Sequence, residues 1–188
     1  IIVPQKGERR DLVLDALRNA KESLARKMAE NATQIKLLEA TAEAFGLKEK
    51  PKRIEVYDNS HIQGSHAVGA MIVSGLDGFL RSEYRKFNVR LDEIENKDDT
   101  AMMKHVFTRR FKLNEEIKDS NHQHNFPDLI LVDGGKGQLS AVSDLLSGSG
   151  LGNIPIVAIA KGPSRNSGNE RIYLKGKHDL KIPLNDPL

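Results

Sequence analysis

The feature that most constrains the fold is a short apolar run at residues 129–132, which ends at an acid followed by a glycine-rich turn. The run is rich in branched aliphatic residues and comes just after Pro127, so it predicts a buried strand. Asp133 then lies at the carboxyl end of that strand, where open α/β sheets place their chemistry. Gly134-Gly135-Lys136-Gly137 and a helical pattern follow. The function of such a chain depends on which residues lie beside Asp133.

The composition narrows the class of protein. A chain of 188 residues with 38% hydrophobic and 29% charged residues is typical of a globular domain. A net charge of +3 permits a nucleic-acid partner without requiring one. The absence of cysteine excludes disulfides, a thiol nucleophile and cysteine-ligated zinc. With no membrane-length apolar run and no visible signal peptide, we expect a piece of a longer cytoplasmic protein with no membrane partner.

Residues 1–50 predict a helical arm. Between Glu8 and Phe45 there is no Gly or Pro, and apolar residues recur at intervals of three and four. Asn31-Ala32-Thr33 predicts an interruption, with Thr33 capping a second helix that Gly46 ends. The arm could be a partner-binding coiled coil, a basic DNA-binding helix, or a solvated amphipathic helix packed on the domain. We favour the last because acids dilute its basic face.

After a polar connector the pattern changes to the period of two that is typical of strands. The first predicted strand, 53–58, ends at Asp58 and is followed by a loop over 59–65. An Asp77-Gly78 turn joins the second and third strands. The predicted elements are strands 53–58, 66–74, 80–89, 129–132 and 154–160, helices 100–111 and 136–146, and a last hairpin of 171–174 with 180–184. The fold class is therefore α/β, a mixed sheet of three antiparallel strands followed by parallel strands with helices.

This order of elements places two acids, Asp58 and Asp133, at the ends of strands, as a ribonuclease H-like nuclease or integrase core requires. Mg²⁺ or Mn²⁺ prefers oxygen ligands and keeps water molecules. Two carboxylates on adjacent strands can hold one or two such ions, about 4 Å apart if there are two. One ion would activate a water nucleophile, and the other would stabilise the leaving 3′ oxygen. The alternative is that both acids are helix caps or turn residues.

Several motifs together resemble one known family. They are Tyr57-Asp58-Asn59-Ser60-His61-Ile62-Gln63-Gly64, Asp98-Asp99-Thr100-Ala101-Met102-Met103, Thr108-Arg109-Arg110-Phe111 and the segment 127–139. In this order they resemble the C-terminal half of the UvrC family, the incision subunits of bacterial nucleotide excision repair. The resemblance implies a ribonuclease H-like endonuclease domain over 51–188 that cuts on the 5′ side of a lesion. It also implies damaged double-stranded DNA as a partner, and the UvrB–DNA complex through the full-length protein.

The same resemblance implies roles for three acids. Asp58 and Asp133 would be catalytic ligands of Mg²⁺ or Mn²⁺, and Asp99 would be a third functional acid. Asp99 could equally cap the helix that begins at Thr100. The family's catalytic histidine lies in a helix expected just after Leu188, so we expect the domain to be truncated and cut weakly or not at all. The family's nuclease for the 3′ cut and its helix-hairpin-helix domain also lie outside this chain.

Further residues are candidates for DNA contact. Gly134 and Gly135 would let the backbone approach a phosphate, with Lys136 supplying charge; the alternative is a turn that requires positive φ. Arg109 and Arg110 would bind phosphates, or else form a solvated helix end. His61 would contact substrate or metal, or shape its loop.

A second class of function is a non-catalytic ribonuclease H-like module that binds DNA or a partner. Its weakness is that carboxylates facing phosphates repel them unless a metal ion intervenes.

Overall fold

The structure is a computed structural model that describes residues 4–62, 66–90, 98–113, 126–162, 170–176 and 179–180, with the backbone alone at 61, 62 and 66. The described helices are α1 (Glu8–Phe45), α2 (Asp99–Phe111) and α3 (Lys136–Gly148). The described strands are β1 (Arg53–Ile62), β2 (His66–Gly75), β3 (Gly78–Phe79), β4 (Arg85–Val89), β5 (Leu129–Asp133), β6 (Ile156–Ala160) and β7 (Arg171–Leu174).

These strands form one mixed sheet in the order β3-β2-β1-β5-β6-β7, with β4 also paired to β2. The pairs β1/β5 and β5/β6 are parallel, whereas β1/β2, β2/β4 and β6/β7 are antiparallel. The predicted third strand is present as β3 and β4, which pair with successive parts of β2 and are separated by a 3₁₀ turn at Arg81–Glu83. The predicted α/β mixed sheet preceded by a helical arm is thus confirmed.

Strand β1 is longer than the sequence predicted. The expected loop at 59–65 was wrong over its first half, because β1 continues past Asp58 and stays paired with β2 as far as Ile62↔His66. The parallel pairing with β5 ends earlier, at Tyr57↔Val132. The antiparallel neighbour continues to satisfy the backbone polar groups of β1 beyond that point. Asp58 therefore lies inside a strand and at the end of its parallel pairing.

One face of the sheet is covered by α2 and α3. Phe107 of α2 packs on Tyr57 of β1 with ring centroids 4.4 Å apart. At Gly69 of β2 a Cβ atom would lie 2.4 Å from Cγ2 of Val106, so α2 lies directly on the strand backbone. A β-branched side chain cannot move aside easily, and glycine is therefore required at 69. The other buried members of this core include Met71, Met102, Met103, Val132, Leu139, Val142 and Leu146.

The opposite face of the sheet is covered in part by the C-terminal end of α1. Leu38 and Phe45 are buried there against Ile54 and Leu129. Gly46 ends the helix in the left-handed conformation, with φ of 65°, as the sequence predicted. The last predicted hairpin is confirmed as far as the bridge between Ile172 and Leu180; residues 181–184 lie outside the described residues.

Helix α1 is continuous, so the predicted interruption at residues 31–33 was wrong. The Thr33 hydroxyl donates to the carbonyl oxygen of Ala29 at 3.1 Å, which satisfies it inside the helix instead of at a cap.

The two parts of α1 differ in their contacts. From Asn31 onward the helix docks on the domain: Asn31 Nδ2 donates to Asp77 Oδ1 at 3.3 Å, and Gln34 Nε2 donates to the carbonyl of Gly75 at 3.4 Å. The expectation of an arm packed on the domain therefore holds only for this part.

None of the described helices has the length and apolar character of a membrane span. The exposed apolar side chains before Asn31 include Leu12, Leu17, Leu24 and Met28.

Candidate active site

Two carboxylates lie next to each other at the end of the parallel pairing of β1 and β5. Tyr57 is paired with Val132 in the parallel register, so Asp58 and Asp133 occupy the next position on each strand. By the alternation of side chains both project from the face of the sheet that α1 covers in part, where Val56 and Leu131 precede them. We call Asp58 and Asp133 the acid pair. The structure brings these two predicted residues together.

The acid pair repels itself electrostatically. Burial raises the pKa of Asp58 above its ordinary value of 3.8, and the negative charge of Asp133 raises it further. The positive charge of Lys161 and a backbone hydrogen bond from Asn59 oppose this shift. The side chain of Asp133 is still 37% exposed, so the pair is open to solvent. Such a pair is stabilised by a cation that solvent can deliver.

Lys161 is a site residue that the sequence interpretation missed. Its Nζ lies 3.3 Å from Oδ2 of Asp133. The sequence interpretation assigned it to a flexible loop, yet it comes directly after β6, in which Ile159 is paired with Asp133. Two residues beyond Ile159 a side chain projects from the same face. The available signal was therefore a cation just beyond the carboxyl end of a third parallel strand.

Asp99 is not the cap of α2. Asp98 holds that position, and its Oδ1 accepts a hydrogen bond from the backbone N–H of Ala101 at 2.7 Å. The predicted cap role of Asp99 was wrong, because the helix begins one residue earlier than expected. Among the described residues no three His, Cys, Asp or Glu side chains group as metal ligands, so Asp99 does not join the acid pair there. Its role as a third functional acid stays a prediction.

The turn after Asp133 does not need positive φ, contrary to one alternative from the sequence. Gly135 has φ of −100°, and Gly134 is not among the glycines with positive φ. A Cβ at Gly134 would lie 1.4 Å from Oε1, the far end of the flexible Gln138 side chain, so a larger residue there would displace that side chain. That oxygen accepts the backbone N–H of Gly135 at 3.0 Å and caps the first turn of α3. Phosphate contact by Gly134 and Gly135 stays a prediction.

Lys136 is the first residue of α3. Its Nζ lies 2.9 Å from Oδ1 of Asp179 and 5.1 Å from the ring centroid of Tyr173. Both partners of the ion pair are largely exposed, so it contributes little to stability. The lysine adds its charge to the positive end of the helix dipole, which favours an anion near the acid pair. Its contact with DNA stays a prediction.

The neighbouring arginines of α2 have different environments. Arg109 is exposed; its Nη1 donates to the carbonyl of Asn88 at 2.8 Å, and its guanidinium lies 5.8 Å from the ring centroid of Phe87. Arg110 points inward, and its Nη2 donates to Oε1 of Glu55 at 2.6 Å. The phosphate contact predicted for Arg110 is thus replaced in the structure by an internal ion pair. For Arg109 it stays a prediction.

Glu55 is the centre of a buried polar network that the sequence interpretation did not find. Its side chain is 0% exposed, and the Tyr57 hydroxyl donates to its Oε2 at 2.5 Å. Arg53 Nε donates to its Oε1 at 3.0 Å, and Arg53 also pairs with Glu83. Burial, followed by the charge of Glu55, raises the pKa of Tyr57 well above its ordinary value. Burial alone would lower the pKa of Arg53, but its hydrogen bonds to Glu83 and Glu55 raise it.

His61 lies in β1, where its backbone is paired with Ala67, and not in the predicted loop. Its side chain is outside the described residues. The prediction that it contacts substrate or metal is therefore untested.

Comparison with solved structures gives distant likenesses. Endonuclease V of Ciona intestinalis in complex with a 23mer DNA matches 69% of this chain and 58% of its own, with 18% identity and a TM-score of 0.42. The catalytic domain of human endonuclease V matches 74% of this chain and 58% of its own, with 17% identity and a TM-score of 0.39. At this distance the likenesses carry no functional inference.

Comparison with protein sequences gives close relatives. A protein of Ruegeria pomeroyi named UvrABC system protein C is 52% identical over 189 residues, which cover 100% of this chain and 30% of that relative. A protein of the same name from Caulobacter vibrioides is 48% identical over 188 residues, covering 100% of this chain and 29% of the relative. The chain thus spans about 30% of the length of these curated relatives. The family model of the UvrC RNAse H endonuclease domain matches residues 42–188, so the chain belongs to that ribonuclease H-like family.

Proposed function

We propose that this chain is the endonuclease domain of a nucleotide excision repair protein and hydrolyses a DNA phosphodiester bond on the 5′ side of a lesion. The observation that carries the proposal is the acid pair just beyond the parallel pairing of β1 and β5, with the pKa of Asp58 raised by burial and by Asp133. Perturbed carboxylates at such an edge are typical of functional sites. The membership of the chain in an endonuclease domain family supports the same reaction.

The acid pair fits Mg²⁺ or Mn²⁺ as a cofactor. Mg²⁺ is commonly held by one or two carboxylates and keeps several waters, and Asp58 and Asp133 offer that donor set on a solvent-open face. The pKa of Asp58 is raised first by burial and then by the charge of Asp133, and the opposing charge of Lys161 does not cancel this shift. When bound, the ion supplies an activated water and stabilises charge on the departing oxygen.

Other parts of the domain hold the acid pair in position and supply positive charge beside it. The pairing of β1 with β2 and β5 fixes the backbone beneath both carboxylates. Lys136 and the N-terminal end of α3 supply positive potential directly after Asp133, which attracts a phosphate backbone. The relatives are named as part of a UvrABC system, which supports UvrB as a partner of the full-length protein. Damaged double-stranded DNA, alone and in the UvrB–DNA complex, is the partner that the proposed reaction requires.

The test is the substitution Asp133→Asn in the full-length protein, assayed with its partner proteins on an end-labelled duplex with one lesion. The variant keeps the side-chain shape and removes a metal ligand, so 5′ incision in Mn²⁺ should fall at least about a hundredfold. The matched control is Asp144→Asn, an exposed acid on α3 that faces Lys175. The 3′ cut, which the family assigns to another domain, should persist in both variants.

Equal rates of 5′ incision in the Asp133→Asn variant and the parent would contradict the proposal. Such a result would favour a non-catalytic module that binds DNA or a partner.

A further inference from the structure

We propose that Lys161 is a catalytic residue of this site, a phosphate-binding cation that pairs with Asp133 in the absence of substrate and contacts the DNA phosphate at the incision point when the site is loaded. The inference rests on the proposed function and adds one residue to it, together with an account of which groups carry the charges at the site. Lys161 Nζ lies 3.3 Å from Asp133 Oδ2, within the range of an ion pair.

The ion pair between Lys161 and Asp133 is weak enough for the lysine to leave Asp133 and bind another oxygen. The side chain of Lys161 is 73% exposed, and an ion pair in that setting is worth at most about 1 kcal/mol. A lysine ammonium is a compact charge with three donors on a flexible stem, so it can leave one oxygen for another nearby. The residue is fixed at its base, because it directly follows β6 beside β5. Its flexible side chain can therefore contact groups on and next to the acid pair.

The charges at the site favour this exchange. The acid pair carries two negative charges, and Lys161 supplies one positive charge beside it. A divalent ion on the acid pair would repel the ammonium from Asp133. The phosphodiester brings one negative charge, so these four groups together are neutral. Lys161 would then supply at the phosphate a positive charge that a second metal ion could otherwise supply.

The other cations described here have different partners. Lys136 pairs with Asp179, Arg110 with Glu55, and Arg109 with a backbone carbonyl. Lys161 differs from these three in that its partner belongs to the acid pair. It is also the cation that acts on the pKa of Asp58 from outside that pair.

The first experiment measures single-turnover incision by the full-length Lys161→Met protein with its partner proteins. Loss of a charge placed at the reacting phosphate should lower 5′ incision on the order of 10²-fold, and Lys161→Arg should restore part of the rate because it keeps the charge. The matched control is Lys175→Met, an exposed lysine 3.9 Å from Oδ1 of Asp144. It should cut like the parent, and the 3′ cut should be unchanged in every variant.

The second experiment measures binding to a lesion duplex in which a methylphosphonate replaces the phosphate at the 5′ incision point. Removing that charge should weaken DNA binding by the parent and by Lys175→Met. It should not weaken binding by Lys161→Met, because that variant has already lost the lysine that contacts the phosphate, so the two changes are not additive. On the unmodified duplex Lys161→Met should reduce the salt slope of binding by about one. Without DNA, Lys161→Met should bind Mn²⁺ roughly two- to fivefold more tightly, since the ammonium that competes for Asp133 is gone.

Additive effects of Lys161→Met and the methylphosphonate, together with parental 5′ incision, would overturn this inference. Asp133→Asn separates that outcome from failure of the proposed function. If Asp133→Asn abolishes the 5′ cut while Lys161→Met does not, the endonuclease assignment stands and the role of Lys161 is wrong. If Asp133→Asn cuts normally, both proposals are wrong.

Discussion

Strand β1 carries two acids in very different settings. Glu55 is fully buried against α2, where Arg53, Arg110 and Tyr57 all donate to its carboxylate. Asp58 projects from the other face of the same strand and has a second carboxylate, Asp133, as its neighbour. The buried charge of Glu55 is compensated inside the chain, whereas Asp58 is exposed to solvent and its charge is opposed by that of Asp133.

The charges of the neighbouring groups distinguish a structural carboxylate from a functional one within the same strand. A buried acid whose oxygens accept from two arginines and a tyrosine fixes the position of those groups. An acid that faces another acid is destabilised in its ionised form by that neighbour, and a further cation or a proton relieves the repulsion. Burial alone would rank Glu55 as the more unusual residue, but the sign of the neighbouring charge identifies Asp58 as the functional one.

The largest expected effect tests the structural acid. Glu55→Gln keeps the shape but removes the fully buried negative charge that Arg53 and Arg110 both face, which should lower the free energy of unfolding by about 3–5 kcal/mol. Urea denaturation followed by circular dichroism measures it. Glu83→Gln is the control, because Glu83 is 36% exposed and pairs only with Arg53 among the ion pairs described here. Equal losses in the two variants would mean that Glu55 is not the centre of the network.

A smaller effect is expected from the adjacent arginines. Arg110→Met should lower the free energy of unfolding by about 2 kcal/mol, less than Glu55→Gln because Arg53 still faces the carboxylate. Arg109→Met should cost less than about 1 kcal/mol, since its side chain is exposed. Only Arg109→Met should weaken DNA binding beyond what its stability explains. The opposite ranking in DNA binding, measured by fluorescence anisotropy, would restore Arg110 as a phosphate contact.

At the functional acid we expect a gain in stability, similar in size to the small cost of Arg109→Met. The folded chain holds the proton of Asp58 more tightly than the unfolded chain, because the folded pKa is raised. Ionisation of Asp58 therefore lowers the free energy of unfolding as pH rises from about 4 through the raised pKa. Asp58→Asn removes this loss, so the variant should gain up to about 1 kcal/mol over the parent across that window and keep the gain above it.

Urea midpoints taken from pH 4 to pH 7 in EDTA measure this change. A gap between Asp58→Asn and the parent that narrows with rising pH would show that Asp58 is compensated like Glu55.

The acid pair could be predicted from sequence because it depends on local patterns. An apolar run that ends at Asp133, and a second strand with Asp58 in the equivalent position, suffice to place two carboxylates together once the strands are parallel neighbours. The helices of the domain followed from their apolar periodicity in the same way. The longer course of β1 did not follow, because the backbone pairing with β2 outweighs the polar character of residues 59–61.

The parts that sequence did not predict depend on contacts between distant residues. Glu55 and Arg110 are 55 positions apart, and nothing near either residue indicates that the two are paired. Lys161 looked like the start of a loop, and its partner Asp133 lies on a different strand. The break expected at Thr33 was wrong because a hydroxyl can be satisfied inside a helix as well as at its end.

The unbroken course of α1 has a mechanical consequence. Its 38 residues form a rod of roughly 57 Å, and its contacts with the β2–β3 turn begin at Asn31. One residue inserted before Asn31 would advance the N-terminal end by about 1.5 Å and rotate it by about 100°. The part of α1 before Asn31 therefore projects as a rigid helix from its contact with that turn. Its length sets the position and direction of any group joined to its N-terminal end, while Asp58 and Asp133 stay in place.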